Sequence, residues 1–304
     1  MQIIILLLLV GVPFLFYGGP GSHGSRSFIA LWDLGHVLFF FLTSLWLFKR
    51  LQCHFARLPV FATFRNVFLI VLILGAIVEG LQMCSGDRLA DVNDILRNQL
   101  GCLIAFAFCY PQKGYKKFVF RFVILVFVSI SLIPLTRGVT DEWIARHQFP
   151  VLSDFETVCE IDRWRKGKGE GLLSVKKGLA RHGEQSLRVQ LTTDTYSGVS
   201  LEYFQGNWQG FKNLFLSVYN PDDKPLELIC RIHDSAHVNR YNDRFNKKFI
   251  LKKGWNDLVV SLNDVENSPK GRLLNLAEIQ NLKLFVMEQK SERVIYVDSV
   301  YLGK

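Results

Sequence analysis

Acidic residues are scarce in the first 140 positions of this chain: Asp33, Glu79, Asp87, Asp91 and Asp94 are the only five, against twelve Lys/Arg. That excludes an ordinary water-facing globular surface, which mixes charges of both signs. Cysteine is sparse too, six in 304 residues, so a disulfide-dense scaffold is excluded. Only Cys159 and Cys230 fall in the second half, where a disulfide or two buried thiols would each fit. No Asn-x-Ser/Thr sequon is present, nor any Gly-x-Ser-x-Gly or P-loop pattern, so nothing marks a nucleophile elbow or a nucleotide-binding loop. The net charge is +9, of which +7 belongs to residues 1–140 and +2 to 141–304. Basic residues flanking apolar runs report membrane topology, so no nucleic-acid partner is expected.

Long apolar runs fill the first half. A helix crossing the ~30 Å hydrocarbon core needs roughly 20 apolar residues. The candidate spans are Gln2–Tyr17, Phe28–Phe48, Val67–Cys84, Ile95–Tyr110 and Phe118–Leu135, about five in all. Gln2–Tyr17 lacks a basic n-region, yet its length and the small residues Gly18 and Gly19 also suit a cleaved signal segment. Lys49, Arg50, Arg57 and Arg65 sit between the second and third spans, and Lys113, Lys116, Lys117 and Arg121 around the fourth-to-fifth loop. Positive loops face the cytoplasm. The expectation is therefore a multi-pass plasma (inner) membrane protein with a cytoplasmic amino end and an extracytoplasmic carboxyl domain.

In that topology all five acids lie at or near the outer membrane surface. Asp33 and His36 are one helical turn apart, as are Glu79 and Gln82. Asp91, Asp94 and Asn98 form one helical stripe that Gly101 continues, and a small residue there admits a neighbouring helix. A carboxylate within a span costs about 3 kcal/mol on insertion scales and needs a partner or a wet cavity. Asp33, His36, Glu79, Gln82, Arg88, Asp91, Asp94 and Asn98 are thus the candidate membrane site, read either as a cluster pinning helices or as a polar site open to the outer leaflet. In a catalytic version Glu79 or Asp94 would be the general base, and His36 and Arg88 would bind or protonate a phosphate or leaving oxygen.

The residues Trp32-Asp33-Leu34-Gly35-His36, Glu79-Gly80-Leu81-Gln82 and Arg88-Leu89-Ala90-Asp91-Val92-Asn93-Asp94-Ile95-Leu96-Arg97-Asn98-Gln99-Leu100-Gly101 resemble the VanZ-like membrane family over roughly residues 28–110. That family looks like D-K-x-x-H, E-x-x-Q and R-x-x-x-x-D-x-x-x-N-x-x-G in this order. Leu34 departs from it where lysine is common. The resemblance implies a cell-envelope role, with a link to glycopeptide resistance, and no defined reaction.

After a linker at 138–151, short alternating runs follow: 186–191, 199–204, 214–219, 226–232, 248–251, 257–262, 282–286 and 294–302. Eight such strands predict an all-β sandwich or jelly roll over 152–304. The chain as a whole is expected to be an all-α transmembrane helical bundle followed by that sandwich. The turn Asn220-Pro221-Asp222-Asp223-Lys224-Pro225 separates two strands, and 276–281 could add a helical turn. Asp154-Phe155-Glu156, His182-Gly183-Glu184, Gly254-Trp255-Asn256 and the closing Tyr296-Val297-Asp298 resemble galactose-binding-like carbohydrate-binding modules. That resemblance implies a structural Ca²⁺ held in part by Glu156 and Asp298. Aromatic faces and planar polar groups recognise sugars, and the polar segment 231–245 supplies His233, Asp234, Arg240, Tyr241 and Arg244, with Tyr203 and Trp208 as ring platforms. The alternative is a polar loop with one or two packed aromatics. Two functions follow: a glycan-binding envelope protein, or a membrane enzyme acting on a lipid headgroup or lipid-linked glycan. The expected partners are membrane lipid and a cell-wall or surface polysaccharide.

Overall fold

The computed structural model of the chain describes residues 2–16, 24–54, 59–84, 92–109, 114–166 and 172–304. The chain divides into two compact units, Met1–Gly138 and Val139–Lys304.

The first unit is helical: α1 (Gln2–Phe16), α2 (Arg26–His54), α3 (Val60–Cys84), α4 (Val92–Cys109) and the start of α5 (Tyr115–Gln148). Among the described residues three helices, Arg26–Leu51, Val60–Met83 and Tyr115–Gln148, are long and apolar enough to cross a membrane. That is fewer than the five expected. The 15 residues of α1 rise only ~22 Å as helix, short of the hydrocarbon thickness, and α4 opens on the polar run Asn93, Asp94, Arg97, Asn98 and Gln99. Phe40, Phe48, Val67, Val71 and Phe106 form the buried core of this unit. Close approach of the helices depends on glycine. A Cβ on Gly101 would lie 2.5 Å from the Val37 carbonyl oxygen and 2.7 Å from the Phe41 nitrogen, so α4 touches the α2 backbone.

The second unit begins within α5. Residues 138–148, expected as part of a linker, are its last turns, and a physical reason is at hand. Asp141 is buried and receives an ion pair from buried Arg163, Nε to Oδ1 2.9 Å. Arg163 also donates to the Leu152 carbonyl at 2.8 Å. Among the described residues eleven strands follow: β1 (Val151–Ser153), β2 (Trp164–Lys166), β3 (Leu173–Lys177), β4 (Gln185–Leu191), β5 (Tyr196–Leu201), β6 (Asn213–Asn220), β7 (Leu226–Asp234), β8 (Phe245–Leu251), β9 (Gly254–Ser261), β10 (Ile279–Met287) and β11 (Arg293–Gly303). They form a two-sheet sandwich. One sheet runs β3-β4-β11-β6-β9, with β1 also on β11, and the other runs β2-β5-β10-β7-β8.

All eight expected strands are present; the additional three are the short β1, β2 and β3. The short helix α6 is Leu262–Glu266, capped by Ser261, whereas 276–278 is a turn and 279–281 already belong to β10. The Asn220–Pro225 turn carries the chain from β6 in one sheet to β7 in the other, with buried Asn220 accepting from Asp222 N at 3.2 Å. Leu187, Val189, Leu216, Val218, Leu228, Leu284 and Val297, all essentially unexposed, fill the space between the sheets, and their alternation with polar residues is the expected period of two. Cys159 and Cys230 are free thiols. Cys230 points into this core, and burial pushes its thiol up to about 12.

Candidate functional sites

In the first unit, scarce polar residues from three helices meet. His36 on α2 lies 3.3 Å from the Asn98 Oδ1 of α4 through its Nδ1 and 3.7 Å from Asp94 Oδ2 through its Nε2. Ligand atoms of His36, Glu79 and Asp94 all fall within 4.8 Å of one another. Imidazole with two carboxylates is a donor set that could hold a divalent cation. Arg97 pairs with Asp33 at 2.9 Å and also with Asp94. Gln82, buried, donates to the Leu15 carbonyl of α1 at 2.7 Å, so the second member of the Glu79/Gln82 pair ties α3 to α1. Asn98 is wholly buried, and its Nδ2 has no hydrogen-bond partner among the described residues. Thus Asp33, His36, Glu79, Asp94 and Asn98 come together, joined by Arg97. Arg88 and Asp91 lie outside the described residues. A cleft of about 320 Å³ between α1 and α2, walled by Leu7, Gly11, Phe14, Phe28, Leu31 and Trp32, reaches His36.

In the second unit the residues expected from sequence separate into two groups. Trp208 is fully buried, and its indole Nε1 donates to the Gln205 carbonyl at 3.0 Å. It packs against Phe204 at 5.6 Å, so its ring is core and offers no ligand platform. Asp234 is likewise buried, receiving Arg272 Nη1 at 2.6 Å, Arg272 Nη2 at 2.8 Å and Asn275 N at 2.8 Å. It is a structural anchor. Arg272 also reaches Asp243 at 2.5 Å, and Asp243 accepts from Val238 N at 2.9 Å, so one guanidinium fastens the loop between β7 and β8. These hydrogen bonds hold the Asp243 carboxyl down to about 2. For Asp234 burial pulls upward, but the Arg272 and Asn275 bonds outweigh it and the net shift is down.

Arg240 and Tyr241 are exposed on this fastened loop, and Arg244 closes it with its guanidinium 5.6 Å from the Tyr241 ring centre. Tyr203 is half-buried under Arg165, which lies 5.3 Å from its ring centre and donates to its hydroxyl. His233 stacks on His237, rings 4.6 Å apart.

The strand register shows what connects these residues. On β10, Leu282, Leu284 and Val286 face the core, so Lys283, Phe285 and Met287 lie on the other side, with Phe285 only 2% exposed beneath the Arg231 and Lys283 side chains. Pairing places Gly198 opposite Phe285 and Tyr196 opposite Met287 on β5, and Ile229 and Arg231 opposite Phe285 and Lys283 on β7. Asn246 of β8 lies opposite Arg231. The outer face of the five-stranded sheet therefore carries Tyr196, Arg231, Lys283 and Phe285, beside Arg165, Tyr203, Tyr241 and Arg244. Arg231 covers Phe285 at 4.6 Å, and Tyr196 flanks it at 6.0 Å. Sequence reasoning missed Tyr196, Lys283 and Phe285. Their bulk at outward strand positions was a usable signal, because solvent-facing positions in a sandwich are normally polar.

Glu156 and Asp298 close another loop. Glu156 Oε1 accepts from Glu184 N at 2.8 Å and Gln185 N at 2.9 Å. Asp298 Oδ2 accepts from Arg181 N at 2.5 Å and His182 N at 3.0 Å, and Oδ1 from Ser299 N at 2.7 Å. Burial still lifts the Asp298 carboxyl above its ordinary value. Calcium takes an all-oxygen shell, whereas these carboxylates are engaged by N–H donors. A second cleft, about 510 Å³, opens on the other sheet and is lined by Arg181, Phe215, Ser217, Asp257 and Tyr301 among others.

No known family matches the sequence, and no curated protein matches it. Among solved structures, part of the chain is similar to a family 11 carbohydrate-binding module from Clostridium thermocellum in complex with a β-1,3-1,4-mixed-linked tetrasaccharide, at 17% identity and a TM-score of 0.40, covering 50% of this chain and 94% of that one. It is also similar to the family 11 module of the cellulosomal cellulase Lic26A-Cel5E of Clostridium thermocellum, at 16% identity and a TM-score of 0.38, covering 50% and 92%. An exo-β-agarase aligns at 13% identity and a TM-score of 0.40, over 50% of this chain and 24% of its own.

Proposed function

We propose that this chain is a membrane-anchored, glycan-binding protein of the cell envelope, and that the glycan lies on the outer face of the five-stranded sheet. One observation carries the reading: the exposed rings of Tyr196 and Tyr241 share that face with the guanidinium groups of Arg231, Arg165 and Arg244, and buried Phe285 backs Arg231 from below. Ring faces take the apolar patches of sugars, and forked guanidinium groups take hydroxyls or oxyanions. The loop that presents Tyr241 and Arg244 is fastened by Arg272, so the surface is preorganised, which lowers the ordering cost of binding.

Membrane anchoring is supported by the apolar side chains that the long helices leave exposed, such as Ile73, Ile77, Phe122, Phe127 and Ile133. In water these would be a liability, and in lipid they are at home. The basic loops favour a cytoplasmic amino end and an extracytoplasmic sandwich. The VanZ-like resemblance of residues 28–110 belongs to the same reading.

A second reading concerns the first unit alone. The apolar cleft that ends at His36 would take an acyl chain, with the headgroup at His36, Asp94 and Glu79. On this reading the polar cluster serves a lipid or lipid-linked substrate, with Glu79 or Asp94 as the base.

The test of the first reading is a glycan array probed with the full chain in lipid nanodiscs, beside Tyr241→Ala and Tyr196→Ala. Binding to a defined set of glycans that both substitutions abolish is expected. Binding that survives both would move the site off this face.

A further inference from the structure

On the outer face of the five-stranded sheet, charge is not balanced. Glu202 is held by Arg165 at 3.0 Å, and Glu227 is held by Lys248 at 2.7 Å. Arg231 and Arg244 have no carboxylate partner among the described residues. Arg231 Nε donates instead to a neutral acceptor, Asn246 Oδ1, at 3.2 Å. Arg244 is half-buried, and its Nε is shielded from solvent with no hydrogen-bond partner. Both guanidinium groups are backed by aromatic rings that cannot neutralise them.

The two are close. Arg231 lies opposite Asn246, and Phe245 lies opposite Ile232 and points inward, so Arg244 and Asn246 project to the outer side with Arg231. Burial, together with the Arg244 charge, pulls the Arg231 guanidinium down to about 10. Two cations held together and partly out of water are unfavourable alone, and an anion between them reverses the sign of the interaction. A buried, unsatisfied guanidinium N–H adds the desolvation cost that such an anion would recover.

We propose that Arg231 and Arg244 form an oxyanion subsite, and that the ligand of this face is an acidic polysaccharide. Its carboxylate or phosphate sits between the two guanidinium groups while neighbouring sugar rings lie on Tyr196 and Tyr241, which are 48% and 70% exposed. The proposal rests on the glycan-binding reading of the same face. Forked guanidinium donors suit both oxyanions.

The experiment measures binding of the full chain in nanodiscs of neutral lipid to polygalacturonate, to a ribitol-phosphate polymer and to neutral mixed-linkage β-glucan, over a salt series. The variants are Arg231→Gln and Arg244→Gln, with unchanged melting temperature as the control for folding. One of the two acidic polymers should bind at least about tenfold tighter than the neutral glucan, with affinity falling as salt rises. Each variant should lose about tenfold toward the acidic polymer and little toward the neutral one. Which polymer binds tells carboxylate from phosphate. Equal binding of neutral and acidic polymers, unaffected by the variants, overturns the oxyanion subsite and leaves the glycan face standing. No binding to any polymer overturns both. Arginine-dependent capture of anionic phosphatidylglycerol vesicles, with no polymer bound, assigns the pair to a membrane surface and also overturns the proposal.

Discussion

Arg163 and Asp141 form an ion pair with both side chains out of solvent, 0% and 2% exposed, at 2.9 Å. The pair fastens the last turns of α5 to the loop that opens the sandwich, because Arg163 also holds the Leu152 carbonyl. Beside it Glu160 accepts from Phe155 N at 2.7 Å and from Thr157 Oγ1 at 2.8 Å. Burial alone would raise the Glu160 carboxyl, yet Arg163 and these donors hold it below its ordinary value. Removing one member of a buried pair strands the other charge, at about 3–5 kcal/mol. Asp141→Ala is therefore expected to lower the unfolding free energy of the full chain in detergent by about that amount, read by chemical denaturation followed by tryptophan fluorescence. A change below about 1 kcal/mol would mean that the pair is solvated.

The loop that carries Tyr241 and Arg244 should be acid-sensitive. Asp243 is held at about 2 from an ordinary 3.8, chiefly by the Arg272 hydrogen bond. A carboxyl whose folded value is depressed adds stability above the ordinary value and loses it as pH falls toward the folded one. The melting-temperature gap between the wild type and Asp243→Asn should be full near pH 5 and shrink between about 3.8 and about 2. A gap that stays constant over that range would remove Asp243 from the fastening.

Packing in the helical unit gives a paired prediction. A Cβ on Gly101 meets backbone atoms of α2 at 2.5 and 2.7 Å, whereas one on Gly80 meets nothing within 4 Å. Backbone cannot yield as a flexible side chain can, so Gly101→Ala should destabilise by about 1–3 kcal/mol, the usual range for overpacking. Gly80→Ala should leave stability unchanged. Thermal unfolding of both variants in detergent reads the difference, and equal stability would contradict the close contact of α2 and α4.

Two aromatic residues that looked alike in sequence should behave oppositely. Trp208→Ala empties a buried site and is expected to cost about 3–5 kcal/mol. Tyr241→Ala, at an exposed ring, should leave the melting temperature in place and remove glycan binding. Thermal unfolding and binding measured on the same samples separate the two, and a stable Trp208→Ala that loses binding would restore Trp208 as a platform.

What could be read in advance follows from how local each signal is. The strands Asn213–Asn220 and Arg293–Gly303 announce themselves by alternation within one segment. The strands Val151–Ser153 and Trp164–Lys166 are three residues long, too short for a period to show. The membrane cluster was legible because carboxylates are rare among apolar residues and each needs company, which brings Asp94, Asn98 and His36 together. The sheet face was not legible, because Tyr196, Arg231 and Phe285 become neighbours only through the pairing of β5, β10 and β7. Trp208 was expected as a ring platform, whereas its burial is decided by Phe204 and the core around it. The helix end at 139–148 was taken for linker because its anchor, Arg163, lies 22 residues from Asp141.

The central claim is that the outer face of the five-stranded sheet holds the glycan, and side-chain footprinting by hydroxyl radicals tests it most directly. The full chain in nanodiscs would be labelled with and without a bound oligosaccharide. Tyr196, Tyr241 and Met287 are exposed on the claimed face or its fastened loop, and Tyr301 is exposed in the cleft of the other sheet. Protection of Tyr196, Tyr241 and Met287 with Tyr301 unchanged is the predicted result. Protection of Tyr301 alone would contradict the account and move the site to the opposite sheet.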